Sequence, residues 1–560
     1  MIAIITDRAN IAKQIASSLD MDITTENEGY FQGRGFTLVW TDGELISLSS
    51  PEGYEENRLA KDDLPFIPQA FSFAVCKKKT ARGTVVTDKA AVKQLNRIKK
   101  VFDECESIVA ATDFGEAGEL LFRRIYTYLE CKKPFKRLWI NSLTLKSIRE
   151  GFQNLAEGSL YDNLYNAADC REKADYLINF NASRVFGVAT GLVCHPLGRE
   201  QTPTLAILCK RYHERRNFVS IRFFEHRISL GKDGLFLSFA LPCTMKNRRN
   251  AEKIYEHLKT LPAVQITKVE TRSRIQPAPL FYNLTALQKD ANERYGFSAT
   301  QTMEIARKLY EEKLISHPLT ESRYIPEDIF KTVPKIIRQT AVYCKMKNSL
   351  KTIDMENLNR RSVKKENIRA AGHHALIPTG TYPGYLPKNE KTVYEMIVSR
   401  MFEAFAPDCQ KEIIRIEAVA GNLVFKSEQS RIITPGWRTV QNREEDCEED
   451  EAKESDIFPV FTEGETVPIS GWNLLTKKTL PPPLYTEASL LQAMEKAGLG
   501  TPATRTCIIE SLFSCGYVER QGQNLVSTEK GLVVHNHIKE HENCRRRTLR
   551  QLGKDACRRQ

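Results

Sequence analysis

The stretch SIVAATDFGEAGELLFRRIYTYL, residues 107–129, reads as three pieces in order. SIVAAT is an apolar run of strand length. DFGEAG is a polar loop containing glycine, and ELLFRRIYTYL places its apolar residues at helical spacing. A strand that is apolar throughout and feeds an amphipathic helix is half of a βαβ unit, buried on both faces. The N-terminus repeats the pattern, with IAIIT as the run, DRAN as the turn and IAKQIASSL as the helix. Another strand is expected at RLWIN, residues 137–141. These units predict a parallel sheet with its functional side chains at the carboxyl ends of the strands.

Outward from that sheet the pattern changes several times. Residues 145–215 read as mostly helical, with a break at CHPLG. From 219 to about 275 short strands follow, among them IRFFEHRISL, LFLSFAL and AVQITKVETRSRIQ. Residues 284–345 are helical again, and a second β-rich stretch runs from about 410 to 470. The acidic run EEDCEEDEAKES (444–455) interrupts it as a solvated loop. LPPPLY (480–485) reads as a proline-stiffened linker before a last patterned segment. Strand-rich and helical blocks thus recur apart in sequence, which predicts a discontinuous domain.

Bulk properties narrow the class. A chain of 560 residues, 41% hydrophobic and 27% charged, fits a folded protein of roughly three or four domains. No apolar run approaches the roughly 20 residues of a membrane span, and the N-terminus lacks a signal-peptide pattern. The 14 cysteines are scattered without a CxxC, so free thiols in a reducing cytoplasm are expected. The net charge of +12 is uneven: residues 543–560 hold seven Lys/Arg against one Asp and carry half of it. A mildly basic body is compatible with a polyanion partner without requiring one.

Asp7 follows the first strand directly, and Asp113 and Glu119 flank the loop after the second. Carboxylates converging from two strand ends are suited to Mg²⁺, which stabilises charge developing on a phosphodiester. The competing reading is that these acids cap helix N-termini.

Six ordered blocks then carry a resemblance. ATDFGEAGELLFRRIY resembles the acidic signature of the Toprim domain of type IA DNA topoisomerases, in particular the bacterial topoisomerase III branch. REKADYLINFNASR, LGREQTPTLAILCKRY, LYEEKLISHPLTESRYIPEDI, GHHALIPTG and LYTEASLLQAMEKAGLGTPATRTCIIESLF resemble the family's later blocks. The likeness runs from residue 1 to about 540. It implies a multidomain α/β and α+β fold, a Toprim domain plus a toroidal core. The expected parts are a Toprim domain (1–150), a helical DNA-binding segment (151–215) and a β-rich arch (216–279). A helical domain with the active-site block (280–400) and the second part of the arch (401–480) follow. A C-terminal helical DNA-binding segment (481–542) and a basic tail (543–560) complete the chain. The implied reaction is attack by a tyrosine on a single-stranded DNA phosphate, strand passage and religation. That reaction needs no ATP, and no phosphate-loop motif is present.

The sequence departs from the family where chemistry is expected. In ISHPLTESRY, His317 stands at the position of the nucleophilic tyrosine and Leu319 at that of an arginine. Imidazole would give a phosphoramidate. Its reactive nitrogen lies roughly 2 Å closer to the backbone, where even a 1 Å misplacement costs about 10²-fold. Leu319 removes a bidentate phosphate donor. Asp7 replaces a glutamate, Gly115 and Ala117 replace two acids of the D-x-D-x-E pattern, and Glu116 replaces an arginine. Arg8 keeps the charge of the family's lysine, and His373 matches its block. Arg171, Asp175, Arg199, Gln201, Thr202, Thr204, Arg323 and Thr379 match positions implied in DNA binding. The expected metal set is Asp113, Glu119 and Asp7, eroded at Gly115 and Ala117.

The chain is therefore expected to bind single-stranded DNA with cleavage compromised. One alternative is a working topoisomerase with an unusual nucleophile. Another, of a different class, is an inactive DNA-binding accessory of a mobile element, with helicase or mobile-element proteins as partners. The basic tail suggests replacement of the original C-terminus by a frameshift, or else a disordered arm with phosphate affinity.

Overall fold

Residues 2–6, 36–40, 107–110 and 135–137 form the parallel centre of a six-stranded sheet. The structure is a computed structural model. It describes residues 1–21, 29–49, 64–79, 85–113, 115–140, 145–191, 195–343, 347–351, 353–364, 374–440 and 458–539. Antiparallel strands 30–33 and 156–157 close the two edges of the sheet. Ala3 and Ile5 enter one core, while Ile4 enters a second core on the opposite face. That two-sided burial is why IAIIT carries no polar alternation. The strand expected at RLWIN ends at Arg137, because Phe135–Arg137 forms the pairing.

Helices Ala9–Ser18 and Glu116–Tyr128 follow the two strands that end in Thr6 and Ala110. Those strands are adjacent and parallel, with Ile5 opposite Ala110. Their carboxyl ends therefore bring Asp7 and Asp113 to one edge. Gly115 begins the second helix at φ +119, a conformation that side-chain-bearing residues rarely adopt. A Cβ at Gly118 would fall 1.7 Å from the Asp113 carbonyl oxygen, so glycine permits this close turn.

The 29-residue helix Asp162–Thr190 ends at Gly191 in the left-handed region. Phe186, Leu205 and Leu208 share a core with Leu490, Ile509, Leu512 and Val534. Residues more than 280 positions apart in sequence are thus packed as one helical body.

Between them lie a barrel and a helical body. The barrel closes in the order 222–232, 235–240, 423–434, 409–420, 263–276, 466–478. The segment AVQITKVETRSRIQ is a single 14-residue strand, longer than the short strands expected there. Helices Leu284–Tyr295, Ala299–Glu311, Val333–Tyr343 and Lys388–Phe405 build the largest core, which Ile11 and Ile140 of the α/β domain also touch. Among the described residues no helix is long and apolar enough to cross a membrane. The acidic run 444–455 and the tail 543–560 lie outside the described residues.

Candidate active site

The loop 314–324 leaves helix Ala299–Glu311 through Lys313, at φ +64. Leu314 and Ile315 are buried and anchor it in the helical core. Ser316 then fixes the backbone twice, since its Oγ donates to the Ala375 carbonyl (3.0 Å) and accepts from Ile377 N–H (3.0 Å). Farther along, Asn283 Nδ2 donates to the Glu321 carbonyl (3.1 Å). The loop is thereby pressed against residues 374–379, with His317 aimed at the α/β domain.

His317 is 5% exposed. Its Nε2 lies 2.8 Å from Asp113 Oδ1. The Tyr310 ring meets the imidazole edge-on, with ring centroids 5.0 Å apart. A small cleft of about 90 Å³ is bounded by Asp7, Arg8, Asp113, Tyr310, His317 and Leu319. Arg8 donates to Glu311 Oε1 at 2.5 Å, joining the α/β domain to the end of helix Ala299–Glu311. Gln14 Nε2 adds a bond to the Glu311 carbonyl at 2.6 Å.

Electrostatics in the cleft follow from burial. Asp7 is pushed up to about 6, first by burial and then by the neighbouring Asp113 carboxylate; Arg8 and His317 oppose the shift. Its Oδ1 is buried without a hydrogen-bond partner. Neither Asp7 nor Asp113 is a helix cap: Arg8 and Gly115 occupy those positions, and neither makes a side-chain cap bond. Burial, Asp113 and Asp7 together hold the Tyr310 phenol well above its usual range.

Glu119, expected among the metal ligands, pairs here with two arginines and not with the groups of the cleft. Its side chain is fully buried, with Oε1 2.8 Å from Arg123 Nε and Oε2 2.9 Å from Arg137 Nε. The physical reason is Arg137, a fully buried cation on the neighbouring strand. Arg137 also donates to the Ala110 and Thr112 carbonyls at 2.7 and 2.8 Å, and it needs a counter-charge. Among the described residues no group of three or more His, Cys, Asp or Glu is arranged to hold a metal ion.

Two comparisons decide the family. The sequence matches the DNA topoisomerase family over residues 159–552 and the Toprim domain over residues 2–143. It is 33% identical to DNA topoisomerase 3 of Shouchella clausii (strain KSM-K16) over 560 residues, covering 93% of this chain and 73% of that protein. The chain belongs to the type IA DNA topoisomerase family. DNA topoisomerase 3 of Bacillus subtilis (strain 168) is 31% identical, with 94% of this chain and 74% of that protein covered. The fold matches full-length topoisomerase I from Thermotoga maritima with a TM-score of 0.74 at 22% identity, covering 99% of this chain and 86% of that one. Toprim domains as a class generally bind Mg²⁺, and type IA topoisomerases bind single-stranded DNA.

Against that family pattern, several of this topoisomerase-family chain's expected DNA-binding groups are spent on the chain itself. Arg323 donates to the Phe281 carbonyl (3.0 Å) and the Leu280 carbonyl (3.3 Å). Thr379 Oγ1 bonds the Lys313 carbonyl, Thr204 Oγ1 the Glu200 carbonyl, and Thr202 Oγ1 accepts from Gly198 N–H. All four bond to backbone groups of the chain itself. Arg199 pairs with Asp175 (2.6 Å) and Glu200 (2.9 Å). Arg171 is held by Glu116. Gln201 reaches Cys515 Sγ at 3.3 Å. His373 lies outside the described residues. Its neighbour His374 is buried, bonded to the Ala375 carbonyl (2.8 Å) and pushed down by desolvation.

Sequence reasoning missed Tyr310 and Glu311, which line the cleft. The available signal was the end of helix LYEEK abutting the loop. It also missed Arg137, whose role rests on a contact between its strand and the helix that carries Glu119.

Proposed function

We propose that this chain keeps the single-stranded DNA binding of its family and has lost strand cleavage. The carrying observation is the pair formed by His317 and Asp113, 2.8 Å apart. At the nucleophile's position stands a buried imidazole tied to the acid that would otherwise face a metal or phosphate. Leu319 offers the phosphate no donor. No nearby tyrosine substitutes well. Tyr310 is held protonated by burial and two carboxylates. Tyr324 lies beneath the Lys364 ammonium, 4.6 Å from its ring centroid.

Mg²⁺ does not fit the residues present. Asp113 is engaged by His317, and positions 115 and 117 carry no side-chain oxygen. What remains is a positioning surface. Arg8 and Arg199 can exchange their carboxylate partners for DNA phosphates, with Arg8 at the cleft and Arg199 on the helical body.

The test is relaxation of negatively supercoiled plasmid in Mg²⁺ by the unaltered chain, beside gel-shift binding of single-stranded DNA. No relaxation with retained binding is expected. Robust relaxation overturns the loss of cleavage, and undetectable binding at low salt overturns the DNA-binding half. A covalent, acid-labile DNA adduct would identify His317 as a working nucleophile.

A further inference from the structure

Past the loop that positions Thr379, the chain exposes two aromatic rings that no core explains. Tyr382 is 67% exposed and Tyr385 is 92% exposed. Tyr382 meets Tyr343 at the end of helix Val333–Tyr343 in an edge-to-face contact, centroids 5.0 Å apart. The loop is seated on that helix. A Cβ at Gly380, which sits at φ +85, would lie 2.5 Å from Gln339 Oε1 and 3.6 Å from an Ile336 side-chain carbon. Ile336, Gln339 and Tyr343 form one stripe at helical spacing, and Lys335, Arg338 and Val342 form the next stripe, exposed to solvent.

The two segments that carry these rings and this stripe have charge of one sign. Residues 331–343 (KTVPKIIRQTAVY) and 379–388 (TGTYPGYLPK) contain no Asp or Glu. Lys335, Arg338 and Lys388 are exposed. A buried core needs no such ring of cations, and a solvated face needs no exposed tyrosines. The two together match a chemistry that has planar faces to stack and anionic links between them. That is single-stranded nucleic acid, for which successive bases stack on aromatic side chains while basic groups follow the backbone.

We propose that Tyr382 and Tyr385, with Tyr343 supporting Tyr382, form a base-stacking platform for single-stranded DNA, and that Lys335, Arg338 and Lys388 hold its phosphates. This rests on the DNA-binding reading above and extends it to a surface outside the cleft. The platform is connected to the active-site loop, because Thr379 N–H donates to the Leu314 carbonyl at 3.0 Å. Tyr382 follows three residues later, at most about 11 Å of extended chain away. The platform therefore belongs to the segment anchored on the start of the active-site loop.

The experiment measures binding of a short fluorescent oligothymidylate to the full chain by anisotropy across a salt series. Stacking on a lost ring predicts that Tyr385→Ala and Tyr382→Ala each weaken binding by roughly fivefold to a hundredfold. Tyr385→Trp should retain affinity, since it keeps the π face. Lys335→Gln and Arg338→Gln should each flatten the log–log salt slope by about 0.7, the loss of one phosphate contact on a single strand. These residues are exposed, and unchanged circular dichroism melts verify that the variants fold. Wild-type affinity in the Tyr382→Ala, Tyr385→Ala double variant overturns the platform while leaving the DNA-binding reading intact. Failure of the unaltered chain to bind overturns both. If the double variant binds DNA normally and instead loses a protein partner, the surface is a protein-docking site and the proposal falls.

Discussion

His317 Nε2 stands 2.8 Å from Asp113 Oδ1, which joins the loop of the helical body to the carboxyl end of a sheet strand. In the family pattern the tyrosine at this position reaches toward a phosphate. Here the imidazole reaches toward a carboxylate instead. Substrate and Asp113 would therefore compete for the same nitrogen. The substitution changes the nucleophile and also fills the acceptor that the acidic site would present.

This competition predicts that repairing the loop alone is insufficient. His317→Tyr with Leu319→Arg returns a nucleophile and a phosphate donor, but the acidic pattern still lacks a carboxylate at 117. Ala117 is exposed on the first turn of its helix, so a longer side chain is accommodated there. Adding Ala117→Glu to the double variant is expected to raise plasmid relaxation by about 10²-fold or more, because a bound metal contributes several kcal/mol to a developing phosphate charge. Equal relaxation rates for the double and triple variants would contradict this account of the site.

Asp7 gives a pH prediction with a definite sign. Its folded-state value of about 6 lies above the ordinary 3.8, for which burial is the first cause. Between those values the folded chain holds a proton that the unfolded chain has lost. Stability from this group is thus greatest at low pH, falls as pH rises from about 4 to about 6, and stays reduced above that. Asp7→Asn removes the penalty. The variant should be more stable than the parent at pH 8 by an order of 1–3 kcal/mol, with the difference shrinking toward pH 4. Thermal unfolding of both proteins at a series of pH values measures it, and a stability gap that grows toward acid would contradict it.

Glu119 is expected to act on folding. Removing its charge with Glu119→Gln leaves Arg137 fully buried with one ion-pair partner fewer. Breaking a buried pair from one side costs on the order of 3–5 kcal/mol. The expected readout is a lowered unfolding temperature and faster proteolysis of the α/β domain. A variant as stable as the parent would place Glu119 outside the structural core that this geometry gives it.

Much of this architecture was legible because its signals are local. The run IAIIT and the run SIVAAT are apolar through their centres, as strands buried on both faces must be, and each feeds a helix with a clear period. The loop around His317 was legible through its neighbours Pro318, Thr320, Ser322 and Arg323. Contacts between remote segments were not legible. Glu116 and Glu119 sit three residues apart at the start of one helix, and nothing nearby in sequence says that one meets Arg171 and the other Arg137. Closure of the barrel through strands 222–232 and 466–478 likewise depends on a register between segments over 200 residues apart. Local periodicity cannot supply that register.

Glu116 supplies the last prediction. It occupies the position of a family arginine and instead holds Arg171, on the long helix Asp162–Thr190, through both guanidinium Nη atoms. Both side chains are about one-third exposed, so the pair itself contributes little to stability. Its consequence is electrostatic: a carboxylate neutralises a cation that could otherwise meet a DNA phosphate. Glu116→Gln frees that cation. Single-stranded DNA should then bind more tightly at low salt, with the log–log salt slope steeper by about 0.7, one added phosphate contact. The unfolding temperature should stay close to that of the parent. Restoring the family's charge with Glu116→Arg should strengthen binding further, and Arg171→Ala in the Glu116→Gln background should cancel the gain. A gain that survives loss of Arg171 would mean that the carboxylate acts on the DNA directly and not by holding the arginine.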